Sequence, residues 1–328
     1  MKTETKETPV KGALIYQPQG AAGEYAKWAI NLYHGCSNGC TYCYNRRGVL
    51  SHVFGDKPEL AAPIIRQRDK LLNEYLKKNN MTLHDHIKKG IVDHKGLMAT
   101  LDIISKDLEK IGIDRIRQDG GIFFSFTCDP FDIEADMLIM QQMVLHLLFD
   151  RIPVTILTKN VHWIHTDLWK STLRDLTTGY NIARLLTIGF TITGKDKLEP
   201  NAPSTEKRIE ALRKLHDEFK IKTFVSLEPI IDLHSASDVI KETYKITDEI
   251  RIGAQSPIKK DRYDHKEFAG FVTAIKCIAR FSKCRFQVKN SMYKQADAFG
   301  GVYRDLCVRR LDEIREIYES KQEENDEK

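Results

Sequence analysis

Tyr33-His34-Gly35-Cys36-Ser37-Asn38-Gly39-Cys40-Thr41-Tyr42-Cys43-Tyr44-Asn45 is the stretch around which the chain is organised. It carries three of the seven cysteines, with three residues between the first pair and two between the second. Thiols this close in a reduced chain usually share a metal centre. No fourth Cys or His follows at zinc-finger spacing, and the missing ligand matters. A closed structural zinc site takes four protein ligands, and a four-iron cluster is normally held by four thiolates. Three thiolates leave one iron open to bind something else. Gly35 and Gly39 allow the loop to curl, because glycine accepts backbone angles that other residues resist.

Outward from the loop, the chain reads as an ordinary globular protein. Its 328 residues are 41% hydrophobic, and the net charge is +5, a mild basic excess that permits a phosphate-bearing partner without requiring one. No apolar run reaches the length of a membrane helix, and the polar start does not resemble a signal peptide. The expected location is cytoplasmic, with reduced cysteines and no membrane partner.

The pattern predicts strands alternating with helices. Trp28 to Tyr33 reads as a short strand delivering the cysteine loop. Helical spacing runs over 58–79, and again along Leu97, Leu101, Ile104 and Leu108. A short strand is expected within Lys88–His94. Further strands are expected at Ile122–Thr127, Val154–Leu157, Leu185–Ile192, Lys222–Leu227 (stopping at Glu228-Pro229) and Glu249–Gly253. Met137–Phe149 reads as an apolar helix. Ser204 reads as the N-cap of a helix with Ile209, Leu212, Leu215 and Phe219 on its inner face. This alternation implies parallel βαβ units and an α/β fold of partial (β/α)6-type TIM-barrel form. The expected organisation is a flexible lead over 1–20, the barrel over 21–260, a helical C-terminal extension over 261–320, with its last helix at Val302–Tyr318, and a disordered charged tail over 321–328.

Most strands end in residues able to bind a ligand: the cysteine loop, Thr127/Cys128/Asp129, Lys159, Thr191/Thr193, Glu228 and Gln255. Barrel enzymes build their sites at these ends, although a strand-end Thr or Asp also commonly caps the next helix. Arg280, Lys283, Arg285, Lys289 and Lys294, interleaved with Phe281, Phe286 and Tyr293, can serve base stacking and phosphate contact or lie on a solvated surface. Cys277, Cys284 and Cys307 read as buried structural cysteines.

Cys36-x3-Cys40-x2-Cys43, with an aromatic before the last cysteine, resembles the radical S-adenosylmethionine (SAM) superfamily. The flanking Asn31 to Tyr44, with Thr127-Cys128-Asp129-Pro130, Leu157-Thr158-Lys159, Glu199 to Ser204 and Val225 to Pro229, resembles its spore photoproduct lyase-like branch. The resemblance implies a [4Fe–4S] cluster on Cys36, Cys40 and Cys43, with SAM on the open iron. It also implies reductive SAM cleavage to a 5′-deoxyadenosyl radical, and a reduced flavodoxin or ferredoxin as electron donor. It places Tyr42 against adenine, Lys159 near the SAM carboxylate, and Thr127 and Asp129 near the ammonium. Thr191 and Thr193 fall at the ribose, and Glu228 steadies the cofactor. Repair of thymine photolesions in DNA is the favoured role, by a monomer. A cysteine that the lyase proper carries two residues before Cys128 is Phe126 here; Cys128, expected on the same strand face by period-two alternation, is either a small residue beside SAM or a displaced hydrogen donor. Tyr44 matches a tyrosine of the lyase radical relay, and it can also simply pack. The alternatives are a radical SAM enzyme acting on RNA, protein or a small molecule, and a non-catalytic zinc-binding nucleic-acid module.

Overall fold

A computed structural model describes residues 13–47, 51, 52, 54–88, 94–178 and 182–300. The chain is a mixed α/β protein with mostly parallel strand pairing. It divides into two compact units, one of residues 1–37 and 44–155, the other of 38–43 and 156–328. Among the described residues no helix is long and apolar enough to cross a membrane.

In the first unit, β1 (Ile15–Tyr16) pairs antiparallel with β2 (Trp28–Ile30), while β3 (Tyr33–His34) pairs antiparallel with β4 (Glu59–Leu60). Helices α1 (Ala62–Lys78), α2 (Leu83–Lys88), α3 (Lys95–Ile111) and α4 (Ile113–Gln118) lead to β5 (Ile122–Phe124), which pairs parallel with β2. Helix α5 (Met137–Phe149) is apolar on nearly every face and buries Met140, Met143, Val144, Leu147 and Leu148 completely. Asp136 caps it, its carboxylate accepting from the amides of Leu138 and Ile139 at 2.9 and 3.3 Å. Asp107 of α3 pins β1 by accepting from the amides of Leu14 and Ile15 at 2.7 and 3.1 Å. Strand β6 (Val154–Thr158) divides between the two units.

In the second unit β6 is followed by α6 (Asp167–Thr178), β7 (Leu186–Thr191), α7 (Thr205–Arg213), β8 (Lys222–Ile230), α8 (Leu233–Thr243) and β9 (Glu249–Ala254). Helix α9 (His265–Phe281), β10 (Arg285–Val288) and α10 (Asn290–Ala298) complete the described chain. The order is β6-β7-β8-β9-β10, and the pairings from β7 to β10 are parallel. Parallel strands buried on both faces need helices to cover them. The burial of Ile188, Phe190, Phe224, Val225, Leu227, Ile250 and Ile252 reflects that cover. Gly189 sits in register with Phe224, and a Cβ there would meet the Phe224 ring at 2.2 Å. Only glycine leaves room for the ring.

The structure departs from the sequence expectations at several points. Lys88 closes α2 instead of opening a strand, and residues 89–93 lie outside the described set. Strand β8 runs through Glu228 and Pro229, with its register shift between Leu227 and Ile230, so those residues lie inside a strand and do not end it. Beyond 260 the strand–helix alternation continues, with β10 parallel to β9, where a helical extension was expected. Ile15–Tyr16 and Gly20–Glu24 are ordered elements at the end of the expected flexible lead. Cys277 is exposed, contrary to the buried role expected of it, and Cys284 is buried. Residues 1–12, Cys307, the expected last helix and the charged tail lie outside the described residues.

Candidate functional site

The cysteine loop contributes to both units: Cys36 belongs to the first, Cys40 and Cys43 to the second. Each side is described separately.

In the first unit the loop leaves β3 through Gly35, whose φ of +88° favours glycine, and where a Cβ would lie 2.1 Å from the Lys57 carbonyl. The Gly35 amide donates to the Thr127 carbonyl at 3.1 Å and the Cys36 amide to the Gly55 carbonyl at 3.2 Å. The Asp132 carboxylate accepts from the Ser37 amide and hydroxyl at 2.7 and 2.8 Å. Thr127 donates its hydroxyl to the Tyr33 carbonyl at 2.8 Å, and Asp129 accepts from the Phe131 amide at 3.1 Å. Both are buried and help shape the turn after β5.

That turn corrects one expectation. Strand β5 ends at Phe124, so Phe126 and Cys128 lie in an irregular segment to which period-two alternation does not apply. Phe126 is held by both backbone atoms. Its amide donates to Asn31 Oδ1 at 2.8 Å, and its carbonyl accepts from Asn45 Nδ2 at 2.8 Å and from the Tyr44 hydroxyl. Tyr44 leaves 63% of its surface exposed. The Cys128 sulfur lies 3.0 Å from Ser125 Oγ, and burial pushes its thiol up to about 12.

In the second unit Tyr42 and Lys159 are brought together, and Thr193 is joined to them through Glu199, whereas Glu228 is tied to Lys289. The loop lies along Leu198–Asn201. The Thr41 amide donates to the Leu198 carbonyl at 2.9 Å and the Asn201 amide to the Asn38 carbonyl at 3.2 Å. Gly39, at φ +67°, leaves space that a Cβ would fill at 3.2 Å from Asn201 Nδ2. Asn160 Nδ2 donates to Asn38 Oδ1 at 3.3 Å. Lys159, at the end of β6, stands 5.5 Å from the centre of the Tyr42 ring. Burial opposes its charge, but the acidic groups around it, the Glu199 carboxylate among them, hold its pKa above the ordinary lysine value. Burial pushes the Cys40 thiol up, with Lys159 opposing, and burial likewise keeps the Tyr42 phenol protonated.

The Tyr42 hydroxyl donates to Glu199, a carboxylate buried with Arg208 as its ion-pair partner. Arg208 also donates to the Thr191 carbonyl at 2.7 Å and pairs with Asp196 at 3.3 Å. Thr193 donates to Glu199 at 3.2 Å and accepts from the Lys195 amide at 3.2 Å, so its hydroxyl is already engaged. Glu228 pairs with Lys289 at 2.6 Å. The basic and aromatic stretch beyond 280 is therefore divided. Lys289 and Phe286 are buried, and Arg285 binds Glu249, whereas Phe281 is 83% exposed with Arg280 against its ring.

Sequence reasoning missed Arg208, Asp132 and the role of Lys289. For Arg208 a signal was present: it falls at i, i+4, i+7 with Leu212 and Leu215, an arginine on an otherwise apolar stripe. Among the described residues, no three His, Cys, Asp or Glu side chains converge closely enough to hold a single metal ion. The described cysteines are all free thiols.

No protein-family profile matches the chain. A Methanocaldococcus jannaschii protein described as uncharacterized is 26% identical over 229 residues, covering 68% of each chain. No solved structure matches.

Proposed function

We propose that the chain is a radical SAM enzyme on a partial (β/α)6-type barrel, with Cys36, Cys40 and Cys43 as the ligands of a [4Fe–4S] cluster. The observation that carries this reading is the placement of Lys159 over Tyr42 and beside Cys40. A strand-end cation and the aromatic inside the cysteine motif meet at one corner. The donor set fits the cluster. It offers three free thiols on a loop curled at Gly35 and Gly39. Thiolates bound to different irons also stand farther apart than ligands sharing one ion, so a cluster does not require the single-ion convergence that these residues lack.

When bound, the cluster and SAM supply reductive cleavage of the sulfonium bond; the protein supplies orientation and exclusion of water. In this reading the Lys159 ammonium binds the SAM carboxylate as a charge-assisted donor, and the Tyr42 ring offers a flat face to adenine. Thr191 contacts the ribose, Thr193 steadies Glu199, and Thr127 and Asp129 line the ammonium side. Glu228 steadies the cofactor, its charge balanced by Lys289. Cys128, kept as a thiol, is the hydrogen donor, and Tyr44 is its relay partner. A reduced flavodoxin or ferredoxin supplies the electron. DNA carrying thymine photolesions is the favoured substrate.

Anaerobic reconstitution with iron and sulfide tests the chemistry. Visible absorbance from the cluster and 5′-deoxyadenosine release from SAM under reduction are expected, and both are lost in Cys36→Ala, Cys40→Ala and Cys43→Ala. Stoichiometric zinc with no SAM cleavage would sink the reading and leave the zinc module. Thymine release from a dinucleotide photoproduct tests the substrate; SAM cleavage without it moves the substrate to RNA, protein or a small molecule.

A further inference from the structure

The Leu198–Asn201 segment touches the cysteine loop at successive residues. Its carbonyl at Leu198 takes the Thr41 amide, its Glu199 carboxylate takes the Tyr42 hydroxyl, and its Asn201 amide reaches the Asn38 carbonyl. The Pro200 and Asn201 side chains fill the space beside Gly39. The segment is fixed in its turn by Arg208, which is fully buried on α7. Its guanidinium Nη2 donates to Glu199 and to Asp196, and its Nη1 to the Thr191 carbonyl at the end of β7. Asp196 also accepts from the Thr205 amide and hydroxyl at 2.9 and 2.7 Å, which ties the same segment to the first turn of α7.

We infer that Glu199 and Arg208 are positioning residues: together they form a template against which the Asn38–Cys43 half of the loop is held in place before any cofactor is bound. They act through Tyr42, and no contact with substrate is assigned to them. The cofactor reading explains what the template is for, but the holding itself stands on these contacts. A buried carboxylate supported by a forked arginine is geometrically fixed, because the guanidinium presents its donors in a rigid plane. A hydroxyl hydrogen-bonded to such a carboxylate inherits that position. The loop residues on either side of Tyr42 include Cys40 and Cys43, so the distance between their thiols is set from α7.

The test needs no metal. The full chain, free of iron, is treated with iodoacetamide, and labelling is read cysteine by cysteine from peptide masses. Exposed Cys277 is the internal reference, and buried Cys284 reports whether the unit remains folded. In Tyr42→Phe, Cys40 labelling relative to Cys277 should rise roughly fivefold, the change in local opening that loss of one hydrogen bond's net contribution gives, and Glu199→Gln, which keeps an acceptor but loses the charge paired with Arg208, should raise it as well. Cys284 should stay protected. Arg208→Lys, which keeps the charge and loses the fork, should fall between wild type and Glu199→Gln. If Glu199→Gln also exposes Cys284, Tyr42→Phe alone decides, since it removes only the hydroxyl. Unchanged Cys40 labelling in Tyr42→Phe overturns the inference. Iron and sulfide loading of the same variants reads the cofactor separately. A chain whose labelling responds as expected but which takes up no cluster keeps the template and loses the radical SAM reading.

Discussion

The Lys289 ammonium, almost completely buried after β10, lies 2.6 Å from the Glu228 carboxylate in β8, although β9 runs between their strands. Gly253 of β9 makes this reach feasible. A Cβ at that position would stand 2.7 Å from both the Glu228 Cδ and Oε1 atoms.

Gly253→Ala should therefore displace Glu228 and cost about 1–3 kcal/mol of unfolding free energy, the usual range for overpacking. Gly270 in α9 is the matched control, because a Cβ there meets nothing within 4 Å. Gly270→Ala should stabilise by about 0.5–1 kcal/mol through helix propensity. Urea unfolding of both variants checks the pair; equal effects of the same sign would refute the steric account.

Lys289→Met removes one partner of a largely desolvated ion pair and sets an apolar side chain where the ammonium stood. The Glu228 side chain keeps 21% exposure, which moderates the penalty. A loss of about 2–4 kcal/mol is expected, measured by denaturant midpoint. A change below about 1 kcal/mol would place the pair with weak surface bridges.

Thiol chemistry should separate the cysteines sharply. Burial pushes both Cys128 and Cys284 up to about 12, whereas Cys277 is exposed. At pH 8 only about one part in ten thousand of the two shifted thiols is thiolate, the reactive form. Of these three, Cys277 should be alkylated first by a wide margin in the native chain. Equal rates at all three would contradict the burial.

Glu249 gives a pH-dependent contribution with a definite sign. Burial opposes its charge, but Arg251 and Arg285, at 3.0 and 2.5 Å, outweigh that and hold its pKa below the ordinary value. A folded-state pKa below the unfolded one means that the unfolded chain binds more protons as pH falls. The contribution is thus present at neutral pH and lost as pH drops from the ordinary glutamate range through the lower folded value. Glu249→Gln should differ from wild type most at pH 7, and the gap should narrow below about pH 4. A gap that widens on acidification would reverse the sign.

Within the proposed function, Lys159→Met should weaken SAM binding by about 1.5–3 kcal/mol, the worth of a hydrogen bond to a charged group. Iron content should not change. Calorimetry on the oxidised, reconstituted protein, in which SAM binds without being cleaved, separates the two quantities, and equal SAM affinity would move the carboxylate elsewhere.

The regular parts of the fold were legible because their signals are local. Met137–Phe149 is apolar on nearly every face and bounded by a capping Asp136, and Ser204 caps α7 with its hydroxyl accepting from the Lys207 amide at 3.4 Å. Ile209, Leu212, Leu215 and Phe219 are buried, as their spacing indicates. What escaped was set by partners distant in sequence. Lys289 looked like one of a run of surface cations until Glu228 supplied its counter-charge. The end of β5 at Phe124 depends on side chains of Asn31 and Asn45, which periodicity does not see. Cys40, Tyr42 and Lys159 were each singled out from the sequence, whereas the Glu199–Arg208 support behind them was not. Glu199 entered only as the first residue of the Glu199 to Ser204 stretch, with no role of its own, and an arginine in a helix is by default a solvated residue.

Phe126 carries a consequence for exchange with solvent. Its amide hydrogen is committed to Asn31, and its carbonyl is claimed by Asn45 and Tyr44, all from outside the regular sheet. A residue whose amide and carbonyl are both held by side chains opens only when those side chains let go. Its deuterium uptake should follow the slow regime of the core, in a segment whose irregular backbone would otherwise place it among the fast exchangers.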